Sequence, residues 1–166
     1  MEEVLSAFNL ELFGQLALAT FLGALIGLER SLARKEAGMR TFAVVSLGSA
    51  LFSIVSIHAL KNLPVNGLAQ FDPTRIAAQI VTGVGFIGAG VVIFAQSKLQ
   101  GVTTAAGLWL SAAIGMAVGF KFYAASIFTT FLALLVFAVL WYVEHRIRQM
   151  SFTHHYHATT EKKEDI

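Results

Sequence analysis

The sequence predicts an all-α integral membrane protein with five transmembrane helices. Of its 166 residues, 56% are hydrophobic and only 13% are charged, and the mean hydropathy is +0.69. Such values lie outside the range that is usual for soluble proteins. Apolar runs near the ~20 residues that cross a bilayer occur five times. They cover residues 10–28, 41–60, 76–95, 102–119 and 122–143, which together form a predicted transmembrane domain at 10–143.

Local signals predict where several of these helices begin and end. Asp72 can cap the third helix, and Pro73 then occupies the first helical position, where its missing N–H costs nothing. Trp141 and Tyr142 suit the membrane interface at the end of the fifth helix. Between the second and third helices, the stretch KNLPVNGLAQ, residues 61–70, contains a proline and an Asn-Gly pair and therefore predicts a loop.

The positions of lysine and arginine predict the orientation of the helices. If the N-terminus faces outward, nine of these residues lie on the inner side and three on the outer side, which fits the positive-inside rule. We therefore expect an extracytoplasmic segment at 1–9 and a short, disordered cytoplasmic tail at 144–166. Because the start MEEVLSAFNLE is acidic, we expect no cleaved signal peptide. The inner set is Arg30, Arg34, Lys35, Arg40, Lys98, Arg146, Arg148, Lys162 and Lys163, and the outer set is Lys61, Arg75 and Lys121.

The stretch TGVGFIGAG, residues 82–90, has the G-x-G-x-x-G spacing of dinucleotide-binding loops. A cofactor loop needs a preceding strand and water around the phosphates, but this stretch lies in the middle of an apolar run. Close helix packing explains the glycines better, because small residues let backbones approach where lipid gives no hydrophobic drive between helices. We expect the third helix to lie centrally in a bundle of four, with a peripheral fifth, and we expect no cofactor. The predicted helix-packing glycines are Gly23, Gly27, Gly83, Gly85, Gly88, Gly90, Gly115 and Gly119.

A polar stripe follows the third helix from its outer end toward the middle of the bilayer. Asp72, Arg75, Gln79 and Thr82 follow one another at steps of three, four and three, which places them on one helix face. In one interpretation the two charges anchor the helix end, and Gln79 bonds to serines of the second helix at positions 46, 49, 53 and 56. In the other, the stripe lines a narrow, water-accessible groove between helices two, three and four that admits a cation or a proton.

The predicted inner loop, GLERSLARKEAGMRT, concentrates charge between two membrane-spanning helices. At helical spacing, Glu29 and Arg30 can both reach Arg34, and Gly38 permits a sharp break before the second helix. One interpretation is an anchor that holds anionic lipid, which is the commonest role of such loops. The alternative is a docking face for another membrane complex.

The residue types exclude several classes of function. The chain has no cysteine, which excludes disulfides and thiolate chemistry, and its net charge of +2 is too small to suggest nucleic-acid binding. We find no nucleophile with a base, no carboxylate pair in an apolar pocket and no metal triad, so we expect no enzymatic activity. The tail contains His154, His155 and His157 but lacks a scaffold that would fix ligand geometry, so no metal site is predicted.

Three motifs resemble the membrane domain of the MgtC/SapB family, namely LGALIGLER…KEAGMRTFAVVSLGSALF, DPTRIAAQIVTGVGFIGAGVV and GVTTAAGLWLSAAIGMAVG. The resemblance covers about residues 10–143 and implies a five-helix membrane region in the bacterial inner membrane. The motif residues that it marks are Glu29, Arg30, Gly38, Arg40 and Thr41 in the inner loop, Asp72, Arg75, Gln79, Gly83, Gly85, Gly88 and Gly90 in the third helix, and Thr103, Thr104 and Trp109 in the fourth.

The resemblance also implies a function. The family's best-known members support growth under magnesium limitation and survival inside macrophages, and they inhibit the F-type ATP synthase. Those members carry a cytoplasmic C-terminal domain, whereas this chain resembles a short member with only a charged tail. We therefore expect a regulatory factor that acts on another integral membrane complex, such as the F-type ATP synthase. The alternative is an oligomeric transporter or channel for magnesium, protons or another small ion. The expected partners are the lipid bilayer and either further copies of the chain or another membrane complex.

Overall fold

The computed structural model describes residues 2–62, 72, 74–95 and 98–164, and within helices and strands it describes side chains at 10–58, 74–93, 99–143 and 146. In these ranges the chain forms five α-helices and one two-stranded antiparallel sheet. The helices are α1 Glu2–Leu32, α2 Met39–Asn62, α3 Thr74–Val91, α4 Val102–Gly119 and α5 Tyr123–Glu164, and the strands are β1 Ile93–Ala95 and β2 Lys98–Gln100. All five helices contain a stretch that is long and apolar enough to cross a membrane, which confirms the predicted fold class. The predicted loop lies almost entirely outside the described residues, as does Pro73.

Several element boundaries differ from the prediction. The first helix begins at Glu2, so the segment expected at 1–9 is helical from its second residue, and the fifth continues past Val143 to Glu164, where a disordered tail was expected. Neither 2–9 nor 144–164 contains glycine or proline, so nothing local ends a helix there. Hydropathy predicts where a helix leaves the bilayer, not where its backbone hydrogen bonding stops.

A short hairpin replaces the predicted last turn of the third helix. α3 ends at Val91, and Ile93 then pairs with Gln100 across the antiparallel strands. The β-branched run Val91–Ile93 favours extended backbone, which accounts for the early end of the helix. Gly101, with a φ of 83°, then turns the chain into α4 in a conformation that strongly favours glycine.

The fourth helix, not the third, lies at the centre of the bundle. α4 packs against α1, α2 and α3, and half of its membrane-spanning window is buried. In α3 only Ile80, Val84 and Gly88 are buried, so the expectation that α3 lies centrally is wrong. The reason is that α4 carries a continuous face of small residues, whose buried members include Thr104, Gly107, Ser111, Gly115 and Gly119.

Glycines bring the backbones of α1, α2 and α4 close together. A Cβ added at Gly23 would lie 2.6 Å from the carbonyl oxygen of Phe42, and one at Gly27 would lie 2.6 Å from the Cα of Met39. A Cβ at Gly115 would overlap the carbonyl oxygen of Ser46, and one at Gly119 would lie 2.7 Å from that of Ala50. At these four positions only a residue without a Cβ allows the observed approach of the backbones.

Polar side chains inside the bundle bond to backbone carbonyls of neighbouring helices. Ser46 Oγ donates to the oxygen of Ala19 at 2.7 Å, and Ser111 Oγ donates to that of Phe42 at 2.9 Å. Gln15, a buried α1 residue that the sequence did not single out, donates from Nε2 to the oxygen of Val118 at 3.2 Å. The predicted serine stripe of α2 is buried at all four positions, Ser46, Ser49, Ser53 and Ser56.

The chain divides into two compact units. The first, Met1–Phe131, contains α1 to α4, the hairpin and the start of α5. The second, Leu132–Ile166, contains the rest of α5, which ends at Glu164. Ser126 and Thr130, at the start of α5, are buried within the first unit, and each donates its hydroxyl to a carbonyl of the same helix, at 2.8 Å.

Candidate functional site

The polar stripe of α3 lies on the outer surface of the four-helix bundle. Asp72, Arg75, Gln79 and Thr82 are all exposed. The face that α3 buries is the opposite one, which contains Ile80, Val84 and Gly88. The structure therefore brings the stripe residues together along one face. Of the α2 serines only Ser49 lines the same groove as Gln79, and no hydrogen bond joins the two side chains. Gln79 forms no hydrogen bond within the described residues, whereas Thr82 Oγ1 donates to the carbonyl of Ala78 at 3.1 Å.

The charged end of the stripe shapes the start of the helix. Asp72 Oδ1 accepts hydrogen bonds from the backbone N–H of Thr74 at 2.8 Å and from its hydroxyl at 2.6 Å. The carbonyl of Asp72 accepts from the N–H of Arg75 at 3.1 Å. Asp72 thus caps α3 as the sequence predicts. The hydroxyl and N–H of Thr74, in that order, hold the pKa of Asp72 below its usual value, with a smaller contribution from the charge of Arg75.

A groove of about 610 Å³ runs between α2 and α3. Its α2 wall includes Val44, Gly48 and Phe52, and its α3 wall includes Gln79 and Gly83. The lining is apolar apart from Ser49 and the Gln79 amide, and no residue of α4 belongs to it. The predicted groove between helices two, three and four is thus replaced by an apolar groove between α2 and α3 alone.

The glycines of TGVGFIGAG divide between two faces. A Cβ added at Gly88 would lie 3.4 Å from the Cβ of Ala105 in α4, which is a close helix contact. At Gly83, Gly85 and Gly90 an added Cβ would meet no atom within 4 Å. Of the four glycines in this stretch that were predicted to pack helices, only Gly88 therefore contacts a neighbouring helix within the described residues.

The last turn of α1 and the loop that follows it form a second cluster, which we call the loop cluster and define by Glu29, Arg30, Ser31, Glu36 and Gly38. Arg30 is buried, and its guanidinium binds the carboxylate of Glu29 through two nitrogens, with Nη2 at 2.7 Å from Oε1. The predicted pairing of Glu29 with Arg34 is thus replaced by a pairing with Arg30. A buried guanidinium requires such a partner, because an unpaired charge there would be costly.

The same loop is fastened to α4. Thr104 is fully buried, and its hydroxyl donates to Oε2 of Glu36 at 2.6 Å. This hydroxyl is the largest cause that holds the pKa of Glu36 below its usual value, and the charges of Lys35 and Arg30 contribute less. The contact joins the inner-loop motif to the fourth-helix motif, a pairing that sequence reasoning missed because the partners lie 68 residues apart.

A small pocket of about 380 Å³ opens where the loop meets α2, and Arg40 and Thr41 contribute to its lining. Ser31 Oγ accepts a hydrogen bond from the N–H of Met39 at 3.0 Å, and a Cβ at Gly38 would overlap this same oxygen. Gly38 is therefore required by close approach to Ser31. Arg40 and Thr41 are exposed, and so are two motif residues of the fourth helix, Thr103 and Trp109. The side chains of His154, His155 and His157 lie outside the described ones.

Comparison with known proteins identifies the family. Residues 16–146 match the MgtC family. This chain belongs to the MgtC family. It is 41% identical over 138 residues to YhiD of Escherichia coli strain K12, whose name is that of a candidate magnesium transporter, and the match covers 83% of this chain and 64% of YhiD.

Two further relatives carry the names of the family. The chain is 43% identical over 110 residues to SapB of Bacillus subtilis strain 168, covering 66% of this chain and 47% of SapB. It is 39% identical over 132 residues to MgtC of Salmonella typhimurium strain LT2, covering 80% of this chain and 53% of MgtC. The chain thus spans about half to two thirds of the length of these relatives. No solved structure matches it.

Proposed function

We propose that this MgtC family protein is a regulatory factor of the bacterial inner membrane that acts on another integral membrane complex. The observation that carries the proposal is the packing of the bundle, whose buried polar side chains bond mainly to backbone carbonyls. Gln15, Ser46 and Ser111 each hold a neighbouring helix in this way. Among the described residues, Arg30 is the one buried charge that α1 to α4 contain, and it is paired with Glu29. Within the described part of the bundle, no unpaired buried charge is present that could bind an ion on its way through.

The surface of the bundle supports the same proposal. Gln79 and Thr82 are exposed at positions that lie within a membrane-spanning window, and an apolar groove opens beside them. Polar groups at this depth are costly unless protein or water covers them. An outward polar stripe next to a groove therefore suits helix-to-helix contact within the membrane better than it suits passage of an ion.

The family resemblance gives the partner that should be tested first. The family is linked to growth under magnesium limitation, to virulence and to inhibition of the F-type ATP synthase. We therefore propose this synthase as the first complex to test, with the N-terminus of the chain outside and the C-terminus in the cytoplasm. The full chain would be purified from native membranes grown at low magnesium, and the copurifying proteins would be identified by mass spectrometry. ATP synthesis in inverted vesicles would be measured with and without the chain.

Copurification of the synthase together with reduced ATP synthesis would support the proposal. A homogeneous preparation of the chain alone, with ATP synthesis unchanged when the chain is present, would overturn it. Arg40→Gln is the test variant and Arg34→Gln its matched control. Both arginines are exposed, but of the two only Arg40 lines the small pocket where the loop meets α2. A loop that docks a partner should be more sensitive to the first change, whereas a loop that only attracts anionic lipid should respond equally to both.

A second proposal, an oligomeric transporter for magnesium, protons or another small ion, rests on the exposure of the stripe. Arg75, Gln79 and Thr82 could line a path only where several copies meet, because they face away from the bundle interior. The name of YhiD favours magnesium as the first ion to test. Reconstituted vesicles that contain the chain would then show magnesium flux that falls on Gln79→Leu and is unchanged by Val81→Leu. Absence of flux in the parent protein would overturn this alternative.

A further inference from the structure

The exposed side of α3 carries a heptad pattern that α1, α2 and α4 leave uncovered. We define the α3 seam as the six exposed residues Asp72, Arg75, Gln79, Thr82, Phe86 and Ala89. They follow one another at steps of three, four, three, four and three, which is the spacing of the contact positions in a left-handed pair of helices. The bundle itself uses the opposite face of α3, through Ile80, Val84 and Gly88.

One side chain of the α3 seam, that of Gln79, lies too deep in the membrane-spanning segment to be left against lipid. α3 starts at Thr74, and at 1.5 Å per residue Gln79 lies about 7.5 Å along the helix and Thr82 about 12 Å. Thr82 can bond to the carbonyl of its own helix, as it does at Ala78. The Gln79 amide has two donors and an acceptor, and lipid tails satisfy none of them. A polar partner therefore has to cover this position.

We propose that the partner is a second copy of this chain, with the two α3 helices parallel around a two-fold axis along the membrane normal. In such a pair each position of the seam meets the same position of the other copy. Gln79 is suited to this, because an amide can donate to an identical amide and accept from it. A neighbouring helix that is apolar throughout would leave Gln79 without a partner, so the seam favours a copy of itself.

The charges at the end of the seam fit the same arrangement. Asp72 and Arg75 are both exposed, with opposite charge and one turn apart, and the structure contains no ion pair between them. Same-position contact alone would set Asp72 against Asp72 and Arg75 against Arg75, so at this end the two copies have to diverge enough for the Arg75 of each to reach the Asp72 of the other, which lies before the first residue of α3. The remainder of the seam is uncharged, so no buried charge opposes the pairing.

The shape of the surface also suits a second copy. Phe86 is 85% exposed and projects from the seam, and the 610 Å³ groove between α2 and α3 opens beside it. Gly83 and Gly90 flank Phe86 with no atom within 4 Å of an added Cβ, so a neighbouring backbone can come close at both points. The open space on both sides of Phe86 leaves room for the Phe86 of the second copy to pack against it.

Cysteine cross-linking in native membranes tests the proposal directly, because the chain has no cysteine of its own. Thr82→Cys would be compared with Val81→Cys, which is exposed at the same depth but lies 100° away around the helix. On mild oxidation of the full-length chain, Thr82→Cys should form a product of twice the chain mass, at least tenfold more than Val81→Cys. Ala89→Cys, two seam positions further along, should behave like Thr82→Cys.

Two results would overturn the proposal. One is equal cross-linking at 81 and 82, which would indicate random collision. The other is no product of twice the chain mass at 82 or 89 although both variants reach the membrane folded, including the case in which a different protein is captured there. As a second measurement, Gln79→Leu should weaken energy transfer between labelled copies in vesicles by roughly three- to tenfold, and Val81→Leu should not. The pairing does not depend on the proposed regulatory function, because neither experiment requires the partner complex.

Discussion

Thr104, in the first turn of α4, donates a hydrogen bond of 2.6 Å to the carboxylate of Glu36 in the loop between α1 and α2. The threonine is fully buried, whereas the glutamate is exposed. The bond therefore ties a charged surface loop to the most buried helix of the bundle. Since α4 also contacts α1, α2 and α3, the position of the loop is coupled to the central packing of the protein.

Removal of this hydroxyl should destabilise the protein moderately. Thr104→Val keeps the shape of the side chain but loses the donor, and Glu36 can then turn to water. We expect a loss of about 0.5–1.5 kcal/mol in the free energy of unfolding, which is the usual net value of one hydrogen bond. The measurement is denaturant unfolding in mixed micelles, with the exposed neighbour variant Thr103→Val as the control. Equal effects of the two variants would mean that the bond to Glu36 contributes nothing specific.

The same bond predicts a dependence of stability on acid. The Thr104 hydroxyl lowers the pKa of Glu36 below 4.5, so the folded protein binds this proton less readily than the unfolded chain does. The stabilisation is therefore complete above about pH 4.5 and is lost as the pH falls through the lower, folded-state pKa. Thr104→Val should reduce the slope of stability against pH in this acid range, and Thr103→Val should leave it unchanged. If the parent protein and Thr104→Val lose stability equally as the pH falls, this prediction is wrong.

The sequence predicts the five helices well because each contains an apolar stretch of at least 18 residues, and a bilayer requires little else. It also predicts the Asp72 cap, because capping depends on residues that are adjacent in the chain. Thr104 and Glu36 could not be paired from the sequence, since their contact depends on how α4 meets the loop. Gln15 and Val118 are a second example of the same kind.

The sequence could not predict which way the polar stripe of α3 faces. In a soluble protein a polar face points to water, but a helix in lipid is surrounded by apolar groups on every side, so its pattern does not distinguish an inner from an outer face. In one interpretation of the sequence Gln79 bonds to the serines of α2, yet of these only Ser49 lines the same groove, and Ser46 bonds instead to the carbonyl of Ala19. The small residues of α4 allow neighbouring helices to pack closely around it, and α4 rather than α3 therefore lies at the centre of the bundle.

Substitution of a packed glycine should be far more harmful than substitution of an open one. Gly115→Ala places a Cβ onto the carbonyl oxygen of Ser46, so the backbones of α2 and α4 have to move apart. We expect a loss of about 1–3 kcal/mol, as for other overpacked cores. Gly85→Ala meets no atom within 4 Å and lies off the α3 seam, so it should be neutral or stabilise the helix by up to about 1 kcal/mol. Thermal unfolding of both variants in one detergent measures the difference, and similar midpoints would contradict the packing of α2 against α4.

At the turn between α4 and α5, the electrostatic contribution of one residue to stability can be measured apart from its backbone contribution. Lys121 has a φ of 66°, in the left-handed region, and its ammonium pairs with Glu11 of α1 at 2.6 Å. The pair is about half exposed, so its loss should cost no more than about 1 kcal/mol. Lys121→Ala loses the pair and keeps the unfavourable backbone conformation, whereas Lys121→Gly loses the pair and relieves it.

Lys121→Gly should therefore be more stable than Lys121→Ala by about 1 kcal/mol, despite the greater freedom of glycine in the unfolded chain. Glu11→Gln, which removes the pair without changing the turn, isolates the electrostatic part and should lose its effect at high salt. The three free energies of unfolding, measured at low and high salt, give both contributions separately. If Lys121→Ala equals or exceeds Lys121→Gly in stability, the backbone at this turn does not require the left-handed conformation, and the ion pair to Glu11 alone accounts for the choice of lysine.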